Sequence, residues 1–200
     1  MAPERMHRFE VQQISLTGFD AEGRILDIGG GGEGIIGIVG GDRVVSIDTN
    51  AEELAEAAEG PLKLVMDGRD LTFLDEMFDV VTSFFTMMYV DREDHEAIFF
   101  EAYRVLRPGG RFMIWDVELP ARGEGMGDVA VFPLLVELPD GQVETGYGTL
   151  WPDETLTTSH YADLATSIGF EVIGEERNRR VFYLELLKPR PWSRRGRSPL

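Results

Sequence analysis

Two hundred residues with 43% hydrophobic content suffice to bury one sizeable core, and no run approaches the roughly 20 consecutive apolar residues that a membrane span requires. A net charge of -17 repels a phosphate backbone, which argues against nucleic acid as a partner. Zero cysteines exclude disulfides and cysteine-based metal or nucleophile sites, and the three histidines are too scattered for a zinc cluster, so no metal site is expected.

The N-terminus, Met1 to Arg8, lacks the apolar core of a signal peptide, and the expected location is the cytoplasm. Residues 8–18 mix partial alternation with β-prone side chains and read as extended rather than helical, within an N-terminal segment of residues 1–23. A buried parallel strand follows at Ile25-Leu26-Asp27-Ile28 and runs into a glycine-rich turn, Gly29 to Gly34. The reach from Gly34 to the next strand, Val44 to Asp48, leaves room for about two helical turns. Asp48 closes that strand 21 residues after Asp27. Strand, glycine turn and strand-terminal acid together have nucleotide-cofactor geometry: glycines admit close backbone approach and positive φ, and a carboxylate at the neighbouring strand's tip can accept from both ribose hydroxyls.

Ala51 to Glu59 is rich in alanine and glutamate and predicts a helix stopped by Gly60-Pro61. Strand three, Leu64 to Met66, meets Asp67-Gly68; strand four is Phe78 to Phe85. Asp91 is placed to cap a helix over Arg92 to Leu106, whose apolar positions share one face and which Pro108-Gly109-Gly110 ends before strand five. Val129 to Glu137 and Gln142 to Trp151 flank Leu138-Pro139-Asp140-Gly141, a hairpin turn, and predict an inserted hairpin within about 119–152. That insertion extends the sheet or makes a homodimer contact on one reading and covers the substrate on another, and the two are compatible. A helix through His160 to Ile168 and two strands, 169–173 and 181–187, complete the domain at 189. Residues 190–200 form a basic, acid-free tail whose composition predicts disorder.

These landmarks resemble those of class I S-adenosylmethionine-dependent methyltransferases, in the small-molecule branch typified by quinone biosynthesis. The resemblance rests on Asp27 with its glycines, on Leu64 to Phe73, on Phe78 to Phe85, and most specifically on Arg104-Val105-Leu106-Arg107-Pro108-Gly109-Gly110-Arg111-Phe112. One departure stands out: the family pattern acid-x-Gly-x-Gly-x-Gly is met at Asp27, Gly29 and Gly31, but Glu33 occupies the third glycine position. The resemblance implies an α/β, Rossmann-like doubly wound seven-stranded sheet over 24–189 with an antiparallel last strand and the inserted hairpin. It implies S-adenosyl-L-methionine as cofactor, with Asp27, Gly29 and Gly31 at the methionine end, Asp48 on the ribose, Asp67 on the adenine amino group, Gly68 at its ring, and Ser83 near the cofactor's amino group.

The cofactor carries the activated methyl, so the family needs no fixed catalytic residue and none is assigned. Ligands of open α/β sheets lie at the carboxyl ends of strands. A small-molecule substrate is therefore expected against Met88 and Tyr89, with Phe85 and Met87 nearby, and against Trp115 and Asp116 after strand five. Candidate bases are Asp116, Glu118, Tyr89 and His160, although His160 at a helix start reads first as a surface or cap residue. The competing readings are an NAD(P)-dependent oxidoreductase, which the Arg104 to Arg111 segment disfavours, and a cofactor-binding scaffold without turnover.

Overall fold

In the computed structural model, which describes residues 5–191, the chain builds two sheets that share a core. The larger contains β3 (Ile25–Ile28), β4 (Val44–Asp48), β5 (Leu62–Val65), β6 (Phe78–Phe84), β7 (Leu106–Val117), β10 (Glu171–Asn178) and β11 (Val181–Leu187). Their order is β10-β11-β7-β6-β3-β4-β5. β3 pairs in parallel with β4 and β6, β4 with β5, and β6 with β7, whereas β11 runs antiparallel to both β7 and β10. All four residues of β3 are buried, which is why this strand is a continuous apolar run apart from Asp27. From β3 the chain winds outward through β4 and β5, then returns to β6 on the other side. The reversal leaves a crevice at the carboxyl ends of β3, β4 and β6.

The helices are α1 (Ile35–Gly40), α2 (Ala51–Glu56), α3 (His95–Val105) and α4 (Thr158–Ile168). The Asn50 side chain caps α2 by accepting from the Glu52 and Glu53 N–H groups, whose acids sit favourably at the positive end of the helix. α2 ends at Glu56, three residues short of the expected stop. α3 also starts later than its composition predicts. A 3₁₀ turn, Arg92–Asp94, precedes it, and Asp91 makes no side-chain cap bond. β7 begins at Leu106, before Pro108-Gly109-Gly110, because the main chain there is claimed by a distant segment: Gly109 N–H donates to the Lys188 carbonyl and Lys188 N–H to that of Gly110. No helix of the described residues is long and apolar enough to cross a membrane.

The second sheet consists of β1 (Met6–Arg8), β2 (Gln12–Ser15), β8 (Val129–Leu138) and β9 (Gly141–Leu150). The expected hairpin forms, with Leu138 opposite Gly141 around Pro139-Asp140. It does not extend the large sheet. β8 instead pairs in parallel with β1 and β2, so the extended N-terminal segment and the insertion form one unit. Ala130, Phe132, Leu134 and Val136 alternate inward along β8 and pack in one cluster with Phe84 and Trp115 of the large sheet and with Phe85 and Met88 of the segment after β6. The basic tail expected over 190–200 lies, from residue 192 onward, outside the described residues.

Candidate functional site

A cleft of about 940 Å³ opens at the carboxyl ends of β3, β4 and β6. Its floor is the glycine turn. Gly29 has φ +75°, and a side chain there would collide with Thr86; a Cβ on Gly31 would come within 2.7 Å of Glu53 Cβ and 2.8 Å of Asp48 Oδ2. The turn therefore presents bare main chain to the cleft. Asp48 closes β4 beside it, with Oδ2 accepting from Gly31 N–H at 3.3 Å and Oδ1 from Asn50 N–H at 2.8 Å. Each oxygen retains acceptor capacity toward a ligand hydroxyl.

Asp27 lies beneath the turn, where burial pushes its carboxyl up to about 7; the Thr82 hydroxyl, donating to Oδ1 at 2.7 Å, works in the opposite direction, and the Asp48 charge adds to the rise. Asp67 and Gly68 line the far side. The Arg69 guanidinium pairs with Asp67 at 2.7 Å and holds its carboxyl below the usual range, and the same Arg69 also reaches Asp94. The one cationic side chain lining the cleft among the described residues is thus already shared between two acids, while Glu33, Asp48, Glu53, Glu56 and Asp91 line it as well.

Ser83 is a correction. Its side chain is fully buried inside β6, its hydroxyl has no partner among the described residues, and the cleft is lined instead by Phe84, Phe85 and Thr86. Strand alternation sends Ser83 into the sheet's interior, one residue before the chain reaches the cleft.

The acceptor-side expectations divide. Tyr89 lines the cleft, 53% exposed, its phenol pushed up to about 12 by burial of its remainder. Met88 does not line it, being packed in the apolar cluster. Trp115 faces away, within aromatic contacts to Phe19, Phe84 and Tyr183, and borders a separate groove of about 510 Å³ between β2 and the β10–β11 hairpin. Asp116 is wholly buried and lines neither. Its carboxylate accepts from Met88 N–H at 3.2 Å and Val117 N–H at 2.7 Å, anchoring the 3₁₀ turn Met87–Tyr89, and burial pushes it up to about 7. Glu118 accepts from the Thr158 N–H and hydroxyl at the start of α4, away from the cleft. His160 is half-buried rather than free at the surface. Its Nε2 lies 3.0 Å from Nδ1 of the fully buried His95, whose Nε2 meets the Met87 carbonyl, and burial lowers His160 to about 4.

Two cleft residues carried no expectation of their own, although covering the substrate is one reading of the hairpin that bears Tyr147. Tyr147, on β9, lines the cleft and stacks on Phe85 with centroids 5.2 Å apart and planes 21° from parallel. Glu33 accepts from the Tyr147 hydroxyl at 3.2 Å and from the Thr145 hydroxyl. Glu33 had shown itself only as a departure from a glycine pattern. Nothing local distinguishes Tyr147 from the other alternating residues of its strand.

Comparison with known proteins agrees with this geometry. Residues 26–114 match the family model described as a methyltransferase domain. The mitochondrial 2-methoxy-6-polyprenyl-1,4-benzoquinol methylase of Pongo abelii is 38% identical over a stretch covering 38% of this chain and 25% of that protein, so the chain spans a quarter of its length. Among solved structures, a Pyrococcus horikoshii protein superposes with TM-score 0.59 at 21% identity, covering 84% of this chain and 82% of that one. A Methanosarcina mazei SAM-dependent methyltransferase does so with TM-score 0.58 at 19% identity, covering 86% and 95%. At such identities the likeness is one of fold.

Proposed function

We propose that the chain, whose residues 26–114 match the methyltransferase-domain model, is a class I S-adenosylmethionine-dependent methyltransferase that transfers a methyl group from S-adenosylmethionine to a small-molecule acceptor. The observation that carries the proposal is the bare glycine turn with the Asp48 carboxylate beside it, at the point where the strand order reverses. The residues present fit an adenosyl group. Asp48 would accept from the ribose hydroxyls, the main chain at Gly29 and Gly31 would lie along the methionine end, and Gly68 would back the adenine. Arg69 occupies both oxygens of Asp67, two contacts on each, so Asp67 would meet the adenine amino group by giving up one of them. When bound, the cofactor supplies the electrophilic methyl; the protein's part is to align and dehydrate the reactants, alignment alone being worth roughly 7 to 11 kcal/mol.

Acceptor placement follows from the opposite wall, where Phe85, Tyr89 and Tyr147 present aromatic surface. An aromatic small molecule suits such a wall, and the benzoquinol named for the Pongo abelii relative is of that kind. The acids around the cleft favour neutral or cationic acceptors over polyanions, in keeping with the expectation that nucleic acid is not a substrate. Calorimetry against S-adenosylmethionine, S-adenosylhomocysteine, NADH and NADPH tests the cofactor assignment: the sulfur compounds should bind and the nicotinamides should not. Binding of NADH alone would replace the methyltransferase reading with the oxidoreductase one. A panel of phenols, quinols and amines then separates turnover from a scaffold that only binds.

A further inference from the structure

We propose that Glu33 is a positioning residue that ties the hairpin to the cofactor turn, and that Tyr147, held there, is the specificity-determining side chain facing the acceptor. The inference rests on the methyltransferase reading above and concerns how its acceptor wall is held in place.

β9 touches both loops that frame the cleft. On the glycine-turn side, Thr145 and Tyr147 are two apart on one strand, hence on one face, and both hydroxyls donate to the single carboxylate of Glu33. On the other side, Tyr147 stacks on Phe85, a non-glycine residue at φ +53° directly after β6, and the Thr149 hydroxyl donates to the Met88 carbonyl at 3.0 Å. The Phe85 backbone leads into Thr86, whose hydroxyl donates to the Ile28 carbonyl at 3.1 Å. Strand β9 thereby bridges the glycine turn and the loop after β6, with the Tyr147 ring lining the gap between them.

The hairpin does not need Glu33 to fold. Its partner strand is anchored by Ala130, Phe132, Leu134 and Val136 in the shared core, while Glu33 is exposed. What the Glu33 bonds determine is where Tyr147 stands relative to a turn whose main chain contacts the cofactor. Hydrogen bonds to an ionised carboxylate are the strong kind. A glycine at position 33, the residue the family pattern has there, would leave both hydroxyls without this partner. Cofactor occupancy and the position of the acceptor wall are consequently linked through one side chain, and linkage acts in both directions.

The test is hydrogen exchange of the backbone amides of residues 143–149 in the full chain, with and without S-adenosylhomocysteine, which needs no acceptor. In wild type the ligand should slow exchange there by about fivefold or more. Glu33→Ala should abolish that difference while keeping the melting temperature within about 3 °C, and the double variant Thr145→Val/Tyr147→Phe should reproduce the loss from the hairpin side. Glu33→Gln, which keeps one accepting oxygen, should recover part of the protection. Protection by the ligand that persists undiminished in Glu33→Ala, or that is absent in wild type although the ligand binds, overturns the assignment of Glu33 and leaves the methyltransferase reading standing. Failure of S-adenosylhomocysteine to bind wild type at all overturns both. Once an acceptor is found, Tyr147→Phe and Glu33→Ala should raise its KM more than that of S-adenosylmethionine.

Discussion

One wall of the cleft is made of main chain and short acids drawn from Asp27 to Asp48, a single strand-turn-strand unit; the other gathers Phe85, Tyr89 and Tyr147, aromatic side chains from segments some sixty residues apart in the chain. The first wall tolerates almost no added atoms, since a Cβ at Gly31 already meets Glu53 and Asp48. The second is a surface of side chains from two sources, Phe85 and Tyr89 in the segment after β6 of the large sheet and Tyr147 on β9 of the separate sheet. The contrast is one of construction: the first wall is written in local backbone, and the second is assembled from side chains that the loop after β6 and the inserted strand pair bring together. Each wall also rests on a buried carboxylate pushed up to about 7, Asp27 under the glycine turn and Asp116 under the turn that bears Tyr89.

The harshest way to probe the comparison is to weaken the sheet behind the second wall. Phe132 is fully buried where the two sheets meet, so Phe132→Ala should lose about 3 to 5 kcal/mol of stability. Calorimetry should show one transition at lower temperature, as expected if both walls unfold together. Two separate transitions would mean that the hairpin sheet melts on its own, and the walls would then be independent in stability as well as in construction. Replacing residues 129–150 by a linker is a blunter experiment, because it also removes Ala130, Leu134 and Val136 from the shared core.

A second probe uses pH. A carboxyl whose folded pKa lies above its unfolded value stabilises the fold while protonated, and that contribution is lost as pH rises through the folded value. For Asp116 the window runs from 3.8 to about 7. Asp116→Asn, which imitates the protonated form, should therefore gain stability at about pH 8, with a ceiling of about 4 kcal/mol, and gain little at about pH 3.5. Denaturant titrations at the two pH values check this. S-adenosylhomocysteine affinity should not change, since Asp116 lines no part of the cleft; the matching Asp27→Asn variant should alter both stability and affinity. If Asp116→Asn weakened the ligand as much as Asp27→Asn, the division between the walls would fail.

On the cofactor wall, Asp48→Ala should weaken S-adenosylhomocysteine by about 1.5 to 3 kcal/mol, the range for hydrogen bonds to a charged group, as read by calorimetry. An unchanged affinity would remove Asp48 from the site. The smallest effect is expected at Ser83, which belongs to neither wall. Its hydroxyl is buried without a partner among the described residues, so Ser83→Ala should be neutral or stabilising by about 1 kcal/mol and leave ligand affinity alone. A loss of affinity would return Ser83 to the cofactor.

The cofactor wall was legible in the chain because its determinants are local. A buried strand, a turn needing positive φ and an acid at the next strand's tip are all encoded within Ile25 to Asp48, and the same holds for α1's short length and the Pro139-Asp140 turn. Where the reading failed, a distant partner had intervened. β7 starts early because Lys188 pairs with Gly109 and Gly110; the half-buried His160 is tied to the buried His95. Asp116 looked like a substrate contact from its place after strand five, yet the turn at Met88 folds over it.

Strand periodicity predicted the hairpin but not its destination. Alternation states which residues share a face; it does not state which sheet supplies the neighbour, and only the parallel pairing of β8 with β1 and β2 decided that. The amino-acid order by itself thus determined the glycine turn, the Asp48 carboxylate and the methyltransferase framework, because each depends on backbone conformation over a few residues. The tertiary structure alone decided that Glu33, Thr145, Tyr147 and Phe85 meet, because a hydrogen bond or a stacked ring between residues more than a hundred, or some sixty, positions apart has no signature in either segment taken separately.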